Sequence, residues 1–186
     1  VGSEMCIRDS SSITLSADGT EATAKQFKTA VSGAVMRSGR HAEFTIECGY
    51  LMAGVIGAGF DVEGGDQAYT HTGEHKGCFC RASSEGKRFP GYADWEGRQG
   101  AEKGDRIGMA LDLDAGSMTV YKNDERLGVI QESGLTGEYV WAAHFSNRTV
   151  RIAAHSQAAD DFDPAVTLPE RRQRADAPSP IPVDHS

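Results

Sequence analysis

Four residues able to bind metal or act as nucleophiles stand close together mid-chain: His71, His75, Cys78 and Cys80, spaced H-x3-H-x2-C-x-C. All four side-chain types ligate zinc. Zinc sites usually set two ligand pairs a dozen or more residues apart, which this spacing does not do. If residues 78–81 form a strand, Cys78 and Cys80 share one face with Phe79 opposite, and buried structural thiols explain the pair equally well. No metal and no other cofactor is expected. A second constellation is acidic. Asp112-Leu113-Asp114-Ala115-Gly116 begins like a calcium loop, but its glycine is fifth instead of sixth, and Asn123 holds the twelfth place where such a loop carries Glu. Two aspartates two apart on a strand are conceivable partners in sugar cleavage. A hairpin-end aspartate that bonds its own backbone is the commoner use. No G-x-S-x-G, H-E-x-x-H or phosphate-cradling glycine loop occurs, so catalysis has little support and the chain is expected not to be an enzyme.

The elements that would carry these residues are short strands. Ser12 to Ser16 alternates, and Ala42 to Cys48 sets Phe44, Ile46 and Cys48 on one face. Leu51 to Phe60 is a near-continuous apolar run broken by glycines, as in a buried, bulged strand. Cys78 to Arg81 reads as another strand. After the Gly104-Asp105 turn, Ile107, Met109, Leu111 and Leu113 alternate with Gly108, Ala110 and Asp112. A hairpin turn at Asp114–Ser117 leads to a strand from Met118 to Lys122. Leu127–Val129, Tyr139–Phe145 and Val150–Ile152 complete the series, with a short helix possible only at Gly134–Gly137. Many short strands at regular spacing predict an all-β sandwich or barrel.

Composition agrees. The chain has 186 residues, 25% charged and 39% hydrophobic, as in a globular domain. Its 22 glycines all lie at or before Gly137, while five of its six prolines lie at or after Pro164. Residues 1–10 read as a disordered or non-native leader, 11–156 as the domain, and 157–186 as a disordered tail rich in proline and acid. No apolar run approaches the roughly 20 residues that span a membrane. A net charge of -8 argues against nucleic acid as a partner. Met5 is followed by a polar run and no secretory leader is visible. The four cysteines, Cys6, Cys48, Cys78 and Cys80, are therefore expected as thiols in a reducing, cytoplasmic setting, the nucleus included.

The run from Gly104 to Val129, G-D-R-I-G-M-A-L-D-L-D-A-G-S-M-T-V-Y-K-N-D-E-R-L-G-V, closely resembles the central signature of SPRY domains. Gly104-Asp105, Asp112, Asp114–Gly116, Tyr121, Asn123 and Leu127-Gly128 stand in that family's order. Ser38-Gly39-Arg40-His41 before a strand, the stretch Met52 to Phe60, and Gly134-Leu135 before the strand from Tyr139 also agree, so the resemblance spans roughly Ser11 to Ala154. Phe44 stands where the family usually has Trp, and Cys78-Phe79 where it often has an aromatic; both keep an apolar side chain. The resemblance implies a bent antiparallel β-sandwich (SPRY, concanavalin-like) that is non-catalytic and grips a partner protein or short peptide through loops at one edge. It implies an adaptor or scaffold, and a monomer is expected.

Placed by that resemblance, three segments belong to the binding edge: Tyr69, His71 and Thr72; Arg126 before Gly128; and Ser146, Asn147 and Arg148. Tyr69 would supply a flat aromatic wall, and Arg126 and Arg148 would pair with carboxylates or carbonyls. Asn147 both donates and accepts, which suits a peptide backbone. Trp95, in a polar loop, is expected as a plug over the sandwich edge. The competing reading is a carbohydrate-binding or carbohydrate-cleaving lectin-like sandwich, for which Phe89, Tyr92 and Trp95 are the aromatic cluster available.

Overall fold

The computed structural model describes residues 13–15, 21–24, 27–32, 35–46, 51–62, 67–82, 85–102, 104–145 and 148–153. The expected leader and tail lie outside them. The described strands form two antiparallel sheets. One has the spatial order β1 (Ile13–Leu15), β2 (Glu21–Ala24), β12 (Arg148–Ala153), β4 (Arg40–Ile46), β8 (Arg106–Asp112), β9 (Ser117–Lys122), β10 (Glu125–Gln131). The other runs β3 (Lys28–Val31), β11 (Tyr139–Phe145), β5 (Leu51–Gly57), β6 (Cys78–Arg81), β7 (Arg88–Phe89). The expected all-β sandwich is the fold found. No helix among the described residues is long and apolar enough to cross a membrane.

Alternation decides what lies between the sheets. Met109 and Leu111 of β8 face Val120 and Met118 of β9 in register, and all four enter the inner core with Leu51, Val55, Cys78, Cys80, Trp141 and Phe145. The opposite residues of the five-stranded sheet are buried too. Met52, Ile56, Phe79, Val140 and Ala142 form a second cluster with Val31 and Ala68, on the outer face. Strands β5 and β11 are therefore covered on both sides, which is why Leu51–Gly57 reads as an unbroken apolar run. The strand stops at Gly57, short of the expected Phe60. Ala58 N–H donates to Glu138 O at 2.9 Å, and Phe60 N–H returns to Gly57 O at 2.9 Å in a turn that folds Phe60 over the outer cluster.

The turns explain the sequence signature. Asp112 Oδ1 accepts the backbone N–H of Asp114 (3.0 Å) and Ala115 (2.9 Å), while Asp114 Oδ1 accepts Gly39 N–H at 3.1 Å. Both carboxylates thus hold backbone at the hairpin, as a turn aspartate does. Asp105 accepts Glu102 N–H at 2.8 Å through one oxygen and Asn123 Nδ2 at 2.8 Å through the other, and Asn123 Oδ1 accepts Arg106 N–H at 2.9 Å. The G-D turn and the distant Asn are two halves of one lock. The helix considered at 134–137 is instead an open turn: Gly134 and Gly137 take φ of +92° and +110°, and Leu135 N–H donates to Gly116 O at 3.0 Å. Strands β2, β3 and β7 were not anticipated from the sequence.

Candidate functional site

After β5 the chain makes one 3-10 turn, Ala68–Thr70. Gln67 O accepts both the N–H and the Oγ1 of Thr70 at 3.0 Å, and Tyr69 OH donates to Gln67 Oε1. The turn drives Ala68 into the outer cluster and lays Tyr69 across the face of the five-stranded sheet. The Tyr69 ring lies 4.6 Å from the His144 ring and meets the Phe89 ring edge-on at 5.3 Å. Phe89 in turn meets Tyr92 edge-on at 5.4 Å, and Phe27 stacks on His144 at 5.7 Å with the planes 6° apart. Five rings thus form a row, Phe27, His144, Tyr69, Phe89, Tyr92, whose outer members are 53% and 47% exposed. Arg81 and Lys87 stand over Tyr92 at its end, 6.0 and 5.1 Å from the ring centre. His144 is 2% exposed. Burial pushes its imidazole down to about 4, so it is neutral at neutral pH.

Of the residues expected at the binding edge, Tyr69 and His71 sit over this outer face. His71 meets the Phe60 ring edge-on at 5.2 Å, and Thr72 is exposed beyond it. Ser146 and Asn147 lie outside the described residues. The backbone of Arg148 opens β12, opposite Ala24 of β2. The contact between Tyr69 and His144 brings the 67–72 loop onto the outer face of β11 near the end of that strand. Arg126 is elsewhere. It is exposed on β10, the edge strand of the other sheet, in a groove lined by Arg88, Trp95, Glu96 and Leu127 but by none of residues 67–72.

Trp95 is the plug expected. Its Nε1 donates to Gly86 O at 2.6 Å and its ring packs against the inner core. It therefore shares no platform with Phe89 and Tyr92, which meet each other on the outer face. Cys78 and Cys80 are buried in the inner core, with Phe79 on the opposite side. Burial pushes the Cys78 thiol up to about 12, the reverse of what a nucleophile or ligand needs. The His75 ring lies beside Gly59, and the His71 ring meets Phe60 of the outer cluster, whereas both thiols belong to the inner one. Among the described residues no three metal-binding side chains lie together. Sequence reasoning passed over His144 and Phe27; the available signal was one polar residue inside the otherwise apolar run of β11.

Known structures share this architecture. The crystal structure of the SPRY domain of human HERC1 superposes with a TM-score of 0.60 at 16% identity, covering 75% of this chain and 91% of that one. The TRIM65 PSpry domain gives 0.60 at 14% identity, covering 77% and 86%. A human SPRY domain gives 0.51 at 17% identity, covering 76% and 94%. The chain has the SPRY fold. No protein-family model matches the sequence, and no curated protein matches it.

Proposed function

We propose that this domain is a non-catalytic interaction module that binds a partner protein through a short peptide segment, at the loop carrying Tyr69, His71 and Thr72 together with the β11–β12 connection carrying Ser146, Asn147 and Arg148. The SPRY fold supports the kind of module. One observation supports the site: Tyr69 rests on His144, so the 67–72 loop meets β11 two residues before the chain reaches Ser146. Aromatic anchors flanked by groups that pair with a peptide backbone are what such recognition requires. Arg126 belongs to a separate groove and is not needed by this site. The domain acts as a monomeric adaptor in a reducing, cytoplasmic setting, in which buried cysteines such as Cys78 and Cys80 stay as thiols.

The test is selection of peptides from a random phage-displayed library on the full chain, followed by calorimetric titration of the synthesised peptides. Tyr69→Ala and the exposed-site variant Thr72→Glu are each expected to weaken binding at least about tenfold, as loss of a binding hot spot does. Binding unchanged in both variants would exclude this loop.

A further inference from the structure

His144 holds a polar atom the rest of the fold does not use. Among the described residues its Nε2 is buried without a hydrogen-bond partner. Its other nitrogen, Nδ1, lies 3.0 Å from Thr29 Oγ1, itself buried. Where Thr29 gives its one hydroxyl proton to Nδ1, the ring proton resides on Nε2; the other tautomer would have Nδ1–H donate to Thr29 Oγ1. In that first tautomer Nε2–H is a buried donor with nothing to bond, an arrangement that destabilises the free protein and marks a group awaiting a partner. The His144 ring lies between Tyr69 at 4.6 Å and the half-exposed Phe27, stacked within 6° of parallel. Two flat ring faces beside a donor suit a planar acceptor group.

We propose that the bound peptide sets an uncharged amide carbonyl, from its backbone or from an Asn or Gln side chain, against His144 Nε2–H, with the Phe27 ring displaced to admit it. This inference rests on the reading of the Tyr69 loop as the binding site. The acceptor is uncharged because burying a carboxylate beside a neutral imidazole and two aromatic rings costs more than burying an amide. The cations Arg81 and Lys87 stand at the opposite end of the row, over Tyr92. His144 thus selects for a carbonyl where Tyr69 selects for an apolar surface.

The experiment uses the phage-selected peptides, titrated against the full chain and against His144→Leu, His144→Gln and Tyr69→Ala. His144→Leu is expected to weaken binding about tenfold, while the loss of the Thr29 hydrogen bond offsets what removing the unbonded Nε2 contributes to stability. His144→Gln keeps an N–H donor and is expected to stay within about threefold of wild type. In the free protein, nitrogen–proton correlation spectra of the ring are expected to show the proton on Nε2, and added peptide to shift that resonance. Undiminished binding by His144→Leu, or a ring proton found on Nδ1, overturns the inference. If His144→Leu fails to fold, His144→Gln and the ring spectrum decide. Should Tyr69→Ala also bind like wild type, the site itself falls. Should Tyr69→Ala lose binding while His144→Leu keeps it, only the role of His144 falls. A library that yields no binder counts against both.

Discussion

Gly54 offers a quantitative test of how β5 and β6 approach each other beneath the aromatic row. A Cβ built on Gly54 would lie 2.0 Å from Cys78 O and 2.7 Å from Phe79 Cα. Carbon and oxygen sit about 3.3 Å apart even in close contact, so an alanine must push the strands apart by more than ~1 Å. The push falls where Gly54 pairs with Phe79 and Val55 with Cys78. Two weakened ladder hydrogen bonds at about 1 kcal/mol each, with about 1–3 kcal/mol of overpacking, give roughly 3–5 kcal/mol. In a domain of this size that lowers the melting temperature by roughly 10 °C. Gly39 is the control. It has φ of +76° with no atom within 4 Å of an added Cβ, so Gly39→Ala carries only the left-handed backbone cost of about 1–2 kcal/mol. Thermal and urea denaturation of both variants by circular dichroism makes the comparison. The reasoning is refuted if Gly54→Ala melts within ~2 °C of wild type, or if Gly39→Ala is the more damaging of the two.

Three further outcomes follow from the buried and locked groups. Hydrogen bonds from Glu102 N–H, Asn123 and Lys122 hold the Asp105 carboxyl down to about 2. Its contribution to stability is therefore complete above the carboxylate's unfolded value near ~4 and is lost as pH falls through about 2. Urea midpoints of Asn123→Ala measured against pH are expected to lose that part of the acid dependence. His144 is held near 4, against about 6.5 in the unfolded chain, so the unfolded state binds the proton first between those values. Stability is complete above ~6.5 and falls toward pH 4 by up to roughly 3 kcal/mol. His144→Phe is expected to flatten that slope in the same urea titration. Cys78 and Cys80 are expected to resist iodoacetamide in the native protein and to label on unfolding, read by peptide mass; rapid native labelling would place them outside the core.

Where one residue type alternates with another, the sequence discloses the structure. Strands β8 and β9 are legible because Met109, Leu111, Met118 and Val120 all serve one core. Strands β2 and β3 are not, because E-A-T-A and K-T-A-V carry little pattern of their own and are held by pairing with β12 and β11. Strand β7 is two residues long and exists through its pairing with β6. The asymmetry extends to the site. Resemblance pointed to Tyr69, His71 and Thr72, whose loop follows a recognisable strand and lies on the outer face. It grouped Arg126 with them, whereas Arg126 stands on β10 of the other sheet, a separation that local pattern does not show. His144 escaped notice because a polar residue in a strand ordinarily faces water. Here the outer face of β11 is roofed by a turn 75 residues earlier in the chain, and only the assembled fold buries that histidine.

The account turns on where a peptide binds. Backbone amide shifts of the isotope-labelled full chain, followed during titration with a phage-selected peptide, test this most directly. The prediction is that perturbed amides cluster at residues 67–72, at His144 and across 146–148. Perturbations confined to β10 and the groove around Arg126 and Trp95 would contradict it.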